Sequence, residues 1–243
     1  MVFRIIDAMT DGFSRTTERN GLVFVAVFAV LALLNALVAP VEIGTATGAT
    51  PATGLVGLAT GVLSLLIGLG TIAAAIVALR TFASDETETI PREFRRRKIA
   101  TATLNAFVGT IVFVVLVAVG SIFLLVPGLF VLVSLYYWSA FVAIEDQNFV
   151  RAFRSSWTLT RGSRLRLFGL GIAVVVLGLA VNATVAIPSL LLGDGAGLVL
   201  TQLVAAVVTV YTIATTARAY DQLRGLEHPA DPEPRPGSAG MAA

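Results

Sequence analysis

Residues 127–171 read PGLFVLVSLYYWSAFVAIEDQNFVRAFRSSWTLTRGSRLRLFGLG. An apolar run ends on the acidic pair Glu145-Asp146. A short basic, aromatic segment follows, and at Leu167 the chain turns apolar again. A change of charge at each boundary is the mark of a membrane span, a cytoplasmic surface helix and a second span.

The composition around this stretch agrees. Hydrophobic residues make up 56% of the 243 and charged residues 13%, where about 25% charged is usual for a soluble domain. So few charges could not cover a water-exposed surface, and the chain reads as a polytopic membrane protein. The net charge of +2 does not suggest a nucleic-acid partner. The absence of cysteine excludes disulfides, thiol nucleophiles and cysteine metal sites, and the single histidine, His228, lies in a proline-rich tail.

Six spans are predicted, at 21–39, 54–79, 103–126, 128–145, 165–187 and 197–217. The first apolar run, about 19 residues from Gly21, exceeds the 7–15 of a signal sequence and reads as a retained span. Pro40 ends it. In the second, Gly57, Gly61, Ser64 and Gly68 form a stripe of small residues, read as a packing face within the monomer rather than a homodimer contact. Residues 106–144 are too long an apolar run for one crossing, so Pro127-Gly128 is predicted to be the turn of a tight hairpin. Pro188 is predicted to end the fifth span, with a loop over 189–196. Residues 221–243, rich in proline, read as a disordered cytoplasmic tail after a membrane domain over 1–220.

Two amphipathic segments accompany the spans. Residues 2–19 gather Val2, Phe3, Ile5, Ile6, Met9 and Phe13 on one helical face, which suits a helix lying in the interface or one packed on the bundle. After Asn148, a natural cap, comes a surface helix with Phe149, Val150, Phe153 and Trp157 on its apolar side. Gly162 is its expected stop.

Counting bases by segment gives 3 before the first span, 6 between the second and third, 5 between the fourth and fifth, and 3 after the sixth, which accounts for all 17 Lys and Arg. The other three loops hold none. By the positive-inside rule both termini and the basic segments are cytoplasmic, in a multi-pass protein of the plasma membrane. The layout also repeats three times, each unit a charged segment followed by a hairpin, which suggests an internal duplication.

Little in the spans invites catalysis. No ionisable side chain falls at mid-membrane, where proton relays and ion-coupled carriers usually keep one. Paired-histidine, zincin and Ser-His-Asp schemes lack their histidines, and no phosphate loop is present. No catalytic residue, cofactor or metal site is assigned. The main candidate cluster is Glu145 and Asp146 with Arg151, Arg154, Trp157 and Arg161, and with Arg164 also near. Acids at a helix C-terminus oppose its dipole and call for basic partners, so an ion-pair network is favoured over a ligand site. Arg92, Arg95, Arg96, Arg97 and Lys98 form a second group, fixing orientation and attracting anionic headgroups. Asn35, Asn182, Gln202, Thr209 and Thr212 are polar positions within spans; they pack helices or line a polar cavity.

The stretch IEDQNFVRAFRSSWTLTRG, preceded by VPGLFVLVSLYYW, resembles a group of uncharacterised polytopic families that includes the membrane domain attached to some glycerophosphodiester phosphodiesterases. The shared features are Pro127-Gly128, Glu145-Asp146, Ala152, Ser156-Trp157 and Arg161-Gly162. The resemblance implies a membrane fold; it carries no hydrolysis, because this chain has no room for the phosphodiesterase domain. The expected protein is an all-α bundle of six transmembrane helices in three hairpins, with interfacial helices on the cytoplasmic side. It is non-enzymatic and engages anionic lipid headgroups, a protein partner or a second copy of itself at that face. The alternatives are a transporter or channel component, and a membrane-surface enzyme using Glu145 and Asp146.

Overall fold

A computed structural model of the chain describes residues 4–38, 54–84, 90–123 and 125–227. Among them every regular element is a helix: α1 (Ile5–Thr17), α2 (Arg19–Val38), α3 (Gly54–Phe82), α4 (Arg92–Arg96), α5 (Ile99–Phe123), α6 (Leu125–Leu135), α7 (Trp138–Ile144), α8 (Phe149–Leu159), α9 (Arg164–Leu191) and α10 (Gly193–Glu227). Five of these, α2, α3, α5, α9 and α10, are long and apolar enough to cross a membrane. A helix is the form such a run must take in lipid, because each backbone N–H and C=O has to be satisfied within the segment. The sixth expected span is a shorter apolar stretch, Gly128–Ile144, broken at Tyr136 and Tyr137 between α6 and α7.

Two of the prolines expected to stop helices, Pro127 and Pro188, do not. α6 already begins at Leu125, so Pro127 is its third residue. The first turn of a helix has no partners for its N–H groups, and a residue without one is tolerated there. The chain therefore reverses between α5 and α6, ahead of the proline. Gly128 is needed just after the reversal: a β-carbon on it would stand 2.8 Å from the backbone nitrogen of Ser121 on α5. Pro188 lies inside α9, which continues for another turn; the Leu192 N–H donates to the Pro188 carbonyl at 3.0 Å. Gly193, with φ +76°, then starts α10 at once, so the expected loop over 189–196 is reduced to one residue. α10 also runs to Glu227, past the expected start of the tail at 221. Pro40, the loop after it, His228 and the rest of the tail lie outside the described residues.

α10 is the hub, with α1, α2, α3 and α9 packed round it. Its buried face is small: Ala206, Ala214, Ala217 and Ala219 let the neighbouring backbones approach. α1 presents Ala8, Gly12 and Thr16 to it, and a β-carbon on Gly12 would lie 2.9 Å from the Thr215 Cα. Thus α1 packs on the bundle through a small-residue face. Ile6 and Phe13, expected on its apolar side, are 77% and 63% exposed on the flank. The stripe on α3 behaves in the opposite way. β-carbons on Gly61 and Gly68 would meet nothing within 4 Å, so neither makes the close helix contact that was expected, although Gly68 lines a cavity facing α2 and α10. The close approach is made instead by Gly109 on α5, which lies under the Trp138 ring.

The packed core sits toward one end of the bundle. Buried side chains come from the last turns of α3 (Ile76, Leu79, Phe82), from α7 (Trp138, Phe141, Val142) and from the second half of α10 (Val210, Tyr220, Leu223). At the other end Leu55, Ile122, Leu190 and Leu191 are all more than four-fifths exposed. α6 leans over α8: the Ser134 carbonyl accepts from the Ser156 and Thr160 hydroxyls, and Phe130 meets Trp157 edge-on.

Candidate functional site: a polar junction at the packed end

Sequence places charges where α3, α4, α7 and α10 end, and the fold brings those ends together. Arg80, in the last turn of α3, is the centre. Its Nε donates to the Ala143 carbonyl at 2.6 Å and its Nη1 to the carbonyls of Phe94 and Arg97 at 2.9 and 2.8 Å. Its Nη2 reaches Asp146 Oδ1 at 2.8 Å. One buried guanidinium thus satisfies carbonyls near the C-termini of two helices, α4 and α7, where a cation is also favoured by the dipole. Arg97 Nε takes the second Asp146 oxygen at 2.7 Å.

The backbone bends to make this possible. Asp146 and Lys98 have φ of +53° and +44°, a region that Asp enters more readily than most residues and Lys rarely does. Each lies at or beside a group that Arg80 grips, so the junction holds the local conformation as well as the charge.

Glu145 faces the other way, toward α10. It accepts from the Tyr220 hydroxyl at 2.5 Å and from Gln147 Nε2 at 2.8 Å, and it pairs with Arg224 Nη2 at 3.0 Å. Gln147 Oε1 in turn accepts from Ser155 of α8 at 3.0 Å. Asn148 caps α8 as expected, its side chain accepting from the Arg151 N–H, and Gly162 at φ +90° follows its end.

The acidic pair was expected to find its bases in the following segment, and the structure corrects this. Arg151, Arg154 and Arg161 are exposed on α8 and just beyond it. Arg164 stacks between the rings of Phe130 and Trp157, 4.6 and 4.5 Å from their centroids. The partners are Arg80, Arg97 and Arg224, which lie 66, 49 and 79 positions away from their acids. An arginine one residue beyond a predicted span was the available signal for Arg80; its partner was not legible. The face of α8 turned to the bundle is Ala152, Ser156 and Leu159, while Val150 and Trp157 remain 49% and 41% exposed. Of the second basic group, Arg92, Arg96 and Lys98 are exposed, Arg97 is engaged, and the Arg95 side chain lies outside what is described.

The span polar residues are scattered. Asn35 and Thr209 line a cavity of about 360 Å³ between α2, α3 and α10, with Thr71. Thr212 lines a separate, larger one among α6, α9 and α10. Asn182 is exposed and donates to its own helix at the Gly178 carbonyl, 2.8 Å, and Gln202 lines neither cavity. Among the described residues, no three acidic or histidine side chains converge as metal ligands would.

The helices and the junction define an all-helical multi-pass membrane protein. Residues 3–223 match the family described as Domain of unknown function (DUF7847), and the chain belongs to that family. No curated protein and no solved structure matches it.

Proposed function

We propose that the protein crosses the bilayer six times, with both termini and every basic segment in the cytoplasm, and that its inner face engages anionic lipid headgroups. The single observation that carries this reading is the surface of α1 and α8. Each helix keeps large apolar side chains exposed (Ile6 and Phe13; Val150 and Trp157) while another face packs on the bundle, Ala8 and Gly12 of α1 and Ala152, Phe153, Ser156 and Leu159 of α8. Arg151 and Arg154 share the exposed surface of α8. Apolar side chains beside exposed cations suit the boundary between acyl chains and headgroups.

Even topology is supported by the junction. α5 starts next to Arg97 and α7 ends next to Asp146, which Arg97 holds, so the hairpin between them leaves and returns at one end. The same end receives Arg80 of α3 and Arg224 of α10. The resemblance of residues 127–162 to the membrane domain attached to some glycerophosphodiester phosphodiesterases would fit a lipid-facing role, and Glu145 and Asp146 are both held by arginines rather than left free for acid–base work.

The test is lipid selectivity in reconstituted bilayers of phosphatidylcholine and phosphatidylglycerol. Spin-labelled phosphatidylglycerol is expected to be immobilised several-fold in preference to spin-labelled phosphatidylcholine. Arg151→Glu/Arg154→Glu/Arg161→Glu is expected to lose the preference. Equal immobilisation by the unaltered protein would sink the reading. A second reading, a solute path, draws on the cavity holding Asn35, Thr71 and Thr209; its lining also includes Phe28 and Ala206, both buried, and solute flux into proteoliposomes is its test.

A further inference from the structure

The larger cavity lies among α6, α9 and α10 and measures about 580 Å³, within the range of small-ligand sites. Its wall is almost wholly apolar, with Leu132, Leu167, Phe168 and Val175 typical of it. Along α9 it extends from Leu167 to Gly178. At 1.5 Å per residue that is about 16 Å, close to half of a hydrocarbon core roughly 30 Å thick. Gly171 lines it, and a β-carbon there would meet nothing within 4 Å.

The charged end is on the same helix. Arg164 and Arg166 stand at the start of α9, within one turn of Leu167. Arg166 is exposed. Arg164 is held in place by Phe130 and Trp157, and its Nε is buried with no hydrogen-bond partner in the structure. A buried guanidinium N–H without an acceptor is costly and calls for one.

We infer that this groove is a lipid site: one hydrocarbon chain of an inner-leaflet anionic phospholipid lies along α9, with its phosphate at Arg164 and Arg166. The inner-leaflet assignment rests on the orientation proposed above. The length match fixes a chain and not a compact solute. Two arginines within one turn of Leu167, at the end where the cavity begins, give the sign of the headgroup. The walls contributed by α6 and α10 as well as α9 distinguish a groove from an ordinary helix surface against lipid.

The experiment is native mass spectrometry of the full chain released from nanodiscs of equal phosphatidylglycerol and phosphatidylcholine. One retained phosphatidylglycerol per chain is expected, at least five-fold over phosphatidylcholine. Gly171→Phe fills the groove and is expected to lose the retained lipid altogether, with helix content and thermal midpoint showing that it folds. Val175→Trp, which fills the groove from the next turn, repeats the test if Gly171→Phe fails to fold. Arg164→Gln/Arg166→Gln is expected to lose the preference for phosphatidylglycerol. No retained lipid in the unaltered chain, retention undiminished by folded Gly171→Phe or Val175→Trp, or no preference to lose would each overturn the site. The surface reading fails separately, through the selectivity of Arg151→Glu/Arg154→Glu/Arg161→Glu.

Discussion

Arg80 and Asp146 stand 66 positions apart in the chain, and their side chains meet at 2.8 Å. Both are nearly enclosed, at 5% and 8% side-chain exposure. Removing one charge from such a pair strands the other, which typically costs about 3–5 kcal/mol. Asp146→Asn is expected to destabilise by that order. Asn accepts the left-handed backbone at this position, so the loss would report the charge and not the conformation. Arg80→Lys should fare little better, because one ammonium cannot reproduce a planar fork reaching four acceptors. Thermal midpoints in detergent measure both; a midpoint unchanged by Asp146→Asn would contradict the role given to the pair.

Tyr220 and Glu145 are the link between α10 and the α7–α8 corner. A hydrogen bond to a charged group contributes roughly 1.5–3 kcal/mol. A double-mutant cycle of Tyr220→Phe and Glu145→Gln is expected to return a coupling near the lower end of that range, since Gln147 and Arg224 also hold the carboxylate. Additive single effects would show that the contact contributes nothing.

Gly109 and Gly61 make a matched comparison. Gly109 lies against the Trp138 ring, so Gly109→Leu overpacks the core and is expected to cost about 1–3 kcal/mol, partly recovered with Trp138→Ala. Gly61 faces open space, and Gly61→Leu is expected to stay within about 0.5 kcal/mol of the parent. The reverse order of effects would mean that α3 packs through its glycines after all.

The chain has no cysteine, so single introduced cysteines map orientation cleanly. Arg96→Cys is expected to react with an impermeant maleimide only after cells are opened, and Gly195→Cys in intact cells. Ile122→Cys, at the exposed tip of the α5–α6 hairpin, is expected to react from outside as well. Protection of Ile122→Cys in intact cells would mean that this hairpin enters the bilayer without crossing it.

Much of the helical layout was legible because lipid imposes one rule along the whole chain: apolar runs of sufficient length become helices. Five of the six runs are long helices at nearly the expected positions. The errors fall where local rules meet that constraint. Pro127 and Pro188 look like stops, yet a first-turn N–H is dispensable, and an unwound backbone in hydrocarbon has no water to turn to. The candidate site was half legible. Glu145 and Asp146 were singled out because acids at a helix C-terminus need cations, and they have them. Which cations is a question of how separate helices pack, and nothing in the spacing around residue 146 points to Arg80 or residue 145 to Arg224. The packing face of α1 was not legible for a related reason. Pattern reading looks for large apolar side chains, whereas α10 selects the small ones, Ala8 and Gly12, that let it come close.

The distance between Arg80 and Asp146 along the chain also sets a timetable. A ribosome adding about 5–20 residues per second delivers the acid roughly 3–13 s after the base, and Tyr220 reaches Glu145 only after 75 more positions. Before the acid arrives, the carbonyls of Phe94 and Arg97 are the partners within reach of the guanidinium at the foot of α3. The junction is therefore complete only once the final helix has been made, because Tyr220 and Arg224 both lie on it.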